Sequence, residues 1–154
     1  MKTRTIVLTL ALCLVSAAVS FASTPQMGTW KLNEAKSKLA AGAPKNHTVI
    51  YEAVGDNMKV TVEGTDAEGK PTRNEWTGKF DEKDYPVTGD PTSDSRSYKQ
   101  VNDHTLELTI KKDGKVTVTG KIVTSTDGKT RTVTTKGTDP QGKKFTSVAV
   151  YDKA

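Results

Sequence analysis

Three observations predict an all-β chain, folded as an antiparallel up-and-down β-barrel of about eight to ten strands with one short N-terminal helix. From His47 onward apolar residues recur with period two in stretches rich in Thr and Val, as expected of strands with one buried face. Short Asp, Asn and Gly clusters punctuate those stretches, so tight hairpins join sequence neighbours. The strands are joined mostly by short turns, without the long crossovers that a Greek-key sandwich needs.

The chain begins with Lys2 and Arg4, an apolar run from Ile6 to Val19 and the ending Ser20-Phe21-Ala22. This is the three-part pattern of a secretory signal, with cleavage expected after Ala22. The run is short for a membrane crossing and leads into no further apolar run, so no stable membrane anchor is expected. Cys13, the sole cysteine, lies inside it, behind Leu12 where lipid attachment would need a small residue. The mature chain then has no thiol. That excludes disulfides, cysteine nucleophiles and thiolate metal sites, and leaves stability to a hydrophobic core. The expected organisation is a signal peptide, 1–22, and one barrel domain, 23–154, exported to the periplasm or secreted.

Gly28-Thr29-Trp30-Lys31-Leu32 reads as the opening strand. Asn33 is a candidate N-cap for a short helix through Ala35 to Ala41, closed by Gly42 and Pro44, with Leu39 as its apolar contact. Met58, Val60 and Val62 then alternate with Lys59, Thr61 and Glu63, and Leu106, Leu108 and Ile110 with Glu107, Thr109 and Lys111. Val116, Val118 and Ile122 are expected to share a face against Thr117, Thr119 and Lys121. Half-solvated antiparallel strands alternate in this way. Hairpin turns are expected at Gly55-Asp56-Asn57, Asn102-Asp103, Asp113-Gly114 and Asp127-Gly128, where these residues tolerate positive φ. Asp90 to Ser97 is polar and turn-rich, the composition of a long loop or a frayed edge strand.

One segment echoes another: Gly64-Thr65-Asp66-Ala67-Glu68-Gly69-Lys70 returns as Gly137-Thr138-Asp139-Pro140-Gln141-Gly142-Lys143. Two copies are too few for a solenoid, so two similar hairpin loops are expected. A calcium loop needs more oxygen ligands and a terminal bidentate Glu.

Little points to catalysis. His47 and His104 are the only histidines and lack metal-ligand spacing to a second His or a Cys. No nucleophile elbow, Gly-rich phosphate loop or HExxH helix occurs. Asp81-Glu82-Lys83-Asp84 is patterned as a solvated turn, since paired carboxylates for acid-base work would need desolvation or coupling. The expectation is therefore a non-enzyme with no catalytic residues, no metal and no cofactor. Beyond residue 22 the chain carries 21 basic and 18 acidic side chains, with lysines in nearly every turn. That describes a solvated surface, and no nucleic-acid partner is expected.

Candidate ligand-binding residues are Trp30, Trp76, Arg131, Phe145 and Tyr151. Most strands contribute one aromatic ring, and a barrel of this strand number is either filled by side chains or open to one small ligand. Arg131 shares a strand face with Val133, opposite Thr130, Thr132 and Thr134. If that face is inward, a ligand carboxylate would supply the partner that a buried guanidinium needs. Otherwise Arg131 lies near the rim, or Val133 faces solvent.

The opening Gly28 to Leu32, the Asn33 to Ala41 segment, the hairpin ladder and the closing Val148-Ala149-Val150-Tyr151-Asp152-Lys153 together resemble the calycins, the lipocalins and intracellular fatty-acid-binding proteins. Tyr85-Pro86-Val87-Thr88-Gly89 further resembles small exported bacterial proteins described as lipocalin-like. The resemblance implies a barrel that carries a small hydrophobic or amphipathic molecule, with a monomer as the expected state. Fatty-acid-binding proteins grip a carboxylate with an arginine and a tyrosine two apart on the last strand. Here Tyr151 matches the tyrosine, but Ala149 stands in the arginine's place, leaving Arg131 as the substitute from a neighbouring strand. The alternative is a structural or protein-interaction β-domain with a filled barrel, acting through its Lys- and Thr-rich surface without a small-molecule ligand.

Overall fold

The computed structural model describes residues 24–139 and 141–154; the expected signal peptide, 1–22, lies outside them. Ten strands form a closed antiparallel barrel in the order β1-β10-β9-β8-β7-β6-β5-β4-β3-β2. They are β1 (Gly28–Leu32), β2 (Lys45–Val54), β3 (Asn57–Thr65), β4 (Pro71–Gly78), β5 (Tyr85–Thr88), β6 (Ser95–Asn102), β7 (Thr105–Lys112), β8 (Lys115–Thr124), β9 (Thr130–Thr138) and β10 (Lys144–Lys153). Every strand pairs with its sequence neighbours, and β1 closes the ring against β10 through Leu32 and Tyr151. The four expected turns all join consecutive strands. At Asp113-Gly114 both residues take positive φ, 50° and 73°, which matches the twist of the strands on either side.

The expected helix is absent. Only Glu34–Lys36 makes a single 3-10 turn, with Asn33 as its N-cap accepting from Lys36 N–H. The open backbone edge of β10 competes for the rest: Lys38 and Val148 exchange both main-chain bonds, and Ser37 Oγ accepts from Val150 N. Residues 37–38 therefore run as a strap along β10.

Because the strands alternate direction, the loops fall at two ends. A base holds the β2–β3, β4–β5, β6–β7 and β8–β9 connections and the segment Thr24–Met27. A mouth holds the strap, the echoed loops and the other connections. Met58, Val60 and Val62, and Leu106 and Leu108, point inward as their alternation requires and are buried.

Val116 departs from expectation. Val118 pairs with Ile110 but Val116 pairs with Lys111, so Thr117 is an extra residue. A one-residue bulge reverses the faces beyond it, and Val116 is 55 % exposed. A second bulge leaves His47 unpaired in β2.

These bulges explain the echoed loops. A Cβ on Gly64 would collide with Lys45 O beside the His47 bulge, and one on Gly137 would come 2.5 Å from Thr117 O at the Thr117 bulge. Both copies also close alike: the Oδ1 of Asp66 accepts from Glu68 N and Lys70 N, and that of Asp139 from Gln141 N and Lys143 N. The Asp90–Ser97 stretch divides, with residues 89–94 as a loop and Ser95 opening β6. Gly64→Ala is expected to destabilise the fold by about 1–3 kcal/mol, read as a lower urea midpoint. Lys70→Ala in the same hairpin should stay within about 0.5 kcal/mol of the parent.

Candidate functional site

Arg131 is the second residue of β9 and pairs with Tyr151. The register turns its side chain into the base half of the barrel, where it is 2 % exposed. Its Cζ lies 4.8 Å from the ring centroid of Tyr51, 5.0 Å from that of Trp30 and 5.1 Å from that of Tyr151. Three strands thus build an aromatic cage around one guanidinium. Desolvated cation–π contacts contribute about 2 kcal/mol each, against several kcal/mol for taking the charge out of water. The cage does not complete the site, because Nε and Nη1 have no hydrogen-bond partner among the described residues, and each unmet buried donor costs about 1–3 kcal/mol.

A second inward arginine, Arg96 on β6, is also buried. Its Nη2 donates to Asn74 Oδ1 at 3.3 Å, while Nε has no partner among the described residues. Burial opposes ionisation of nearby Asp90. Hydrogen bonds from Ser93 and Thr92, with the pull of Arg96, nevertheless hold its carboxyl below the usual range. Both arginines act on the Tyr51 hydroxyl, whose ionisation burial pushes upward against their attraction. Tyr151 is raised by burial in the same sense, opposed by Arg131.

The candidate residues separate into three groups. Arg131, Trp30 and Tyr151 meet at the base. Trp76 stands on another wall, its Nε1 donating to Arg96 O at 2.8 Å, its ring stacked on Phe80 at 6.2 Å and set edge-on to Tyr98 at 4.7 Å. Phe145 faces inward but at the mouth, six residues or about 20 Å along β10 from Tyr151. There it packs over Gly137.

Sequence reasoning missed Tyr51, Arg96 and Gln26. Tyr51 was legible, two residues from Val49 on one strand face. Arg96 was hidden in a stretch too polar to read as a core strand. Gln26 carries no periodic signal, yet it seals the base: its main-chain O accepts from Trp30 Nε1 at 2.9 Å, its Oε1 from Thr124 Oγ1 at 2.6 Å, and its Nε2 donates to Asp103 O.

The interior differs along its length. Trp30, Val60 and Leu106 have no exposed surface and Met58 and Trp76 only 1 %, so side chains fill the base half. Toward the mouth Leu32, Ile110, Val133 and Ala149 pack on the core yet are only half-buried. An inward side chain that keeps accessible surface borders open space. The upper half is therefore less fully packed, and its inward residues include polar ones: Arg96, which pairs with Ile110 and donates to Asn74, then Thr135, and Ser147, whose Oγ accepts from Ala40 N.

The structure defines a closed ten-stranded up-and-down barrel with a filled base, a less buried upper half and a caged arginine. No family model matches the chain, and no curated protein matches it in sequence.

Arg131→Met, close in volume and uncharged, is expected to leave the urea midpoint unchanged or higher, since replacing buried charge by packed apolar atoms is often neutral or stabilising. Arg131→Ala should lower it through the cavity left behind. Stability should also fall at alkaline pH. With raised phenols, Tyr51 and Tyr151 keep their protons in the fold above about pH 10, where the unfolded chain loses them. The unfolded state then binds fewer protons, so their contribution is intact below that pH and is lost as pH rises. Urea midpoints from pH 9 to 12 should show this decline, with a shallower slope for Tyr51→Phe.

Proposed function

We propose that the protein is an exported, non-catalytic, lipocalin-like barrel that binds a small hydrophobic or amphipathic ligand in its upper half. The observation that carries this reading is a buried arginine with unmet hydrogen-bond donors below an upper half whose inward apolar side chains stay partly exposed. Ligand pockets combine apolar walls with a few placed polar groups in this way. The tail would lie against Leu32, Ile110 and Val133, with Phe145 at the entrance. An acidic head would descend toward Arg131, above Trp30, Tyr51 and Tyr151, with Trp76 behind the opposite wall.

The calycin resemblance of the opening and closing strands supports this reading, and the leader-like residues 1–22 support export. A filled barrel acting as a structural or interaction domain is the second reading. The complete packing of the base half favours it, because it confines any ligand to the upper half.

Titration with long-chain fatty acids and the matching alcohols, followed by tryptophan fluorescence, separates the two. A saturable change is expected for both ligands. Arg131→Met should weaken the acid about tenfold or more, the usual worth of a charged hydrogen bond, and the alcohol hardly at all. Equal losses would remove Arg131 from the site. No saturable response, together with no copurified lipid by mass spectrometry, would establish the filled barrel instead.

A further inference from the structure

Strand register lines up three lysines that the sequence scatters. On the outer face Lys121 of β8 is two residues from Thr119, which pairs with Lys136 of β9. Lys136 is in turn two residues from Thr138, which pairs with Lys144 of β10. Each step crosses one strand and two residues, about 8 Å. Lys121, Lys136 and Lys144 thus form a straight diagonal of exposed ammonium groups.

Among the described residues no ion pair ties down any of these three lysines. The β3–β4 face carries an alternating network, Lys59 to Glu75 at 3.3 Å, Glu75 to Arg73 at 2.9 Å, and Arg73 to Glu63. By contrast, no lysine beyond Lys111 is in an ion pair among the described residues. Glu107 stands opposite Lys121 in register without pairing to it. Residues 112–154 carry nine Lys and Arg against four Asp, whereas residues 23–111 carry twelve against fourteen Asp and Glu. Of those four, Asp127 and Asp139 accept from their own loop backbones, and Asp152 is held by Asn33 and Lys36. Asp113, at the β7–β8 turn, and Glu107, opposite Lys121, are left to offset the excess.

A depression of about 370 Å³ lies along the mouth end of the ladder, with Val116, Thr119, Lys136, Lys144 and Thr146 in its lining. Like charges on one sheet face repel, and an extended chain of acidic groups would relieve that repulsion while its hydroxyls met the threonines. One aromatic ring, Phe145, borders the depression, whereas single-stranded nucleic acids stack successive bases on several such rings. The large exposed apolar side chains of the β8–β10 outer face are Val116 and Val123, too little apolar surface to seat a helix-like wedge in a bilayer. We propose that Lys121, Lys136 and Lys144 form a docking surface for a linear anionic polysaccharide, bearing sulfate or uronate groups.

Sulfated dextran is a direct probe, with neutral dextran, oligothymidylate and phosphatidylglycerol vesicles as comparisons. The intact protein should bind sulfated dextran in preference to all three. The triple variant Lys121→Gln, Lys136→Gln, Lys144→Gln should lose about tenfold or more at low salt, and its log–log salt slope should fall by about two, the counterion-release value for three lost contacts. Lys70→Gln, Lys79→Gln, Lys83→Gln removes the same charge from turns elsewhere and should stay within about twofold of the parent. Equal loss in both triples would reduce the effect to net charge and overturn the ladder. Tighter binding to the oligonucleotide or the vesicles would overturn the choice of partner.

Discussion

The barrel depends on one short seam. β1 has five residues and pairs on both sides, with β2 and with β10, each ten residues long. Without it those two strands would present unpaired N–H and C=O groups, an invitation to pair with another chain. Trp30 anchors the seam: its ring packs against Arg131 and Lys153, and its indole N–H is held by Gln26. The strap extends the same closure, because the free edge of β10 above β1 satisfies its main-chain groups on Lys38 and Ser37. A helix over Asn33 to Ala41 would have left those groups bare.

Closure also imposes curvature, and the chain bends at defined places. Bulges at His47 and Thr117 bring a carbonyl toward the neighbouring strand, and each time a glycine stands opposite. The echoed segments are thus two copies of one solution, a glycine beside a bulge followed by an aspartate that ties its own hairpin. Nothing in either loop calls for an ion.

The interior is packed unevenly, completely at the base and less so toward the mouth. Aromatic rings, aliphatic side chains and the Gln26 plug make the base rigid, and the guanidinium of Arg131 is the one charge packed among them. An arginine held by rings alone is an expensive way to fill a core, since apolar residues would pack there without desolvation cost. The outer wall repeats the imbalance at lower cost, with a line of three lysines faced by one acid, Glu107 opposite Lys121. Inside and outside, the features without a structural rationale are cations.

Much of the architecture was legible in the residues themselves. Period-two alternation at Met58 to Val62 and at Leu106 to Ile110, with turn chemistry between, determined strand number, direction and inner face, because these are local properties of the backbone and its nearest neighbours. Where local and distant demands conflicted, local signals failed. Asn33 is a good cap, but β10 claimed the residues after it; Val116 keeps the alternation, but a bulge turned it outward; Arg96 lies in a stretch too polar to read as a wall. Only the tertiary structure decided that Arg131 enters a cage of rings from three strands, that the base is packed more fully than the mouth, and that three lysines scattered along the sequence stand in line. Those outcomes depend on register between strands, and register is set by closing the ring.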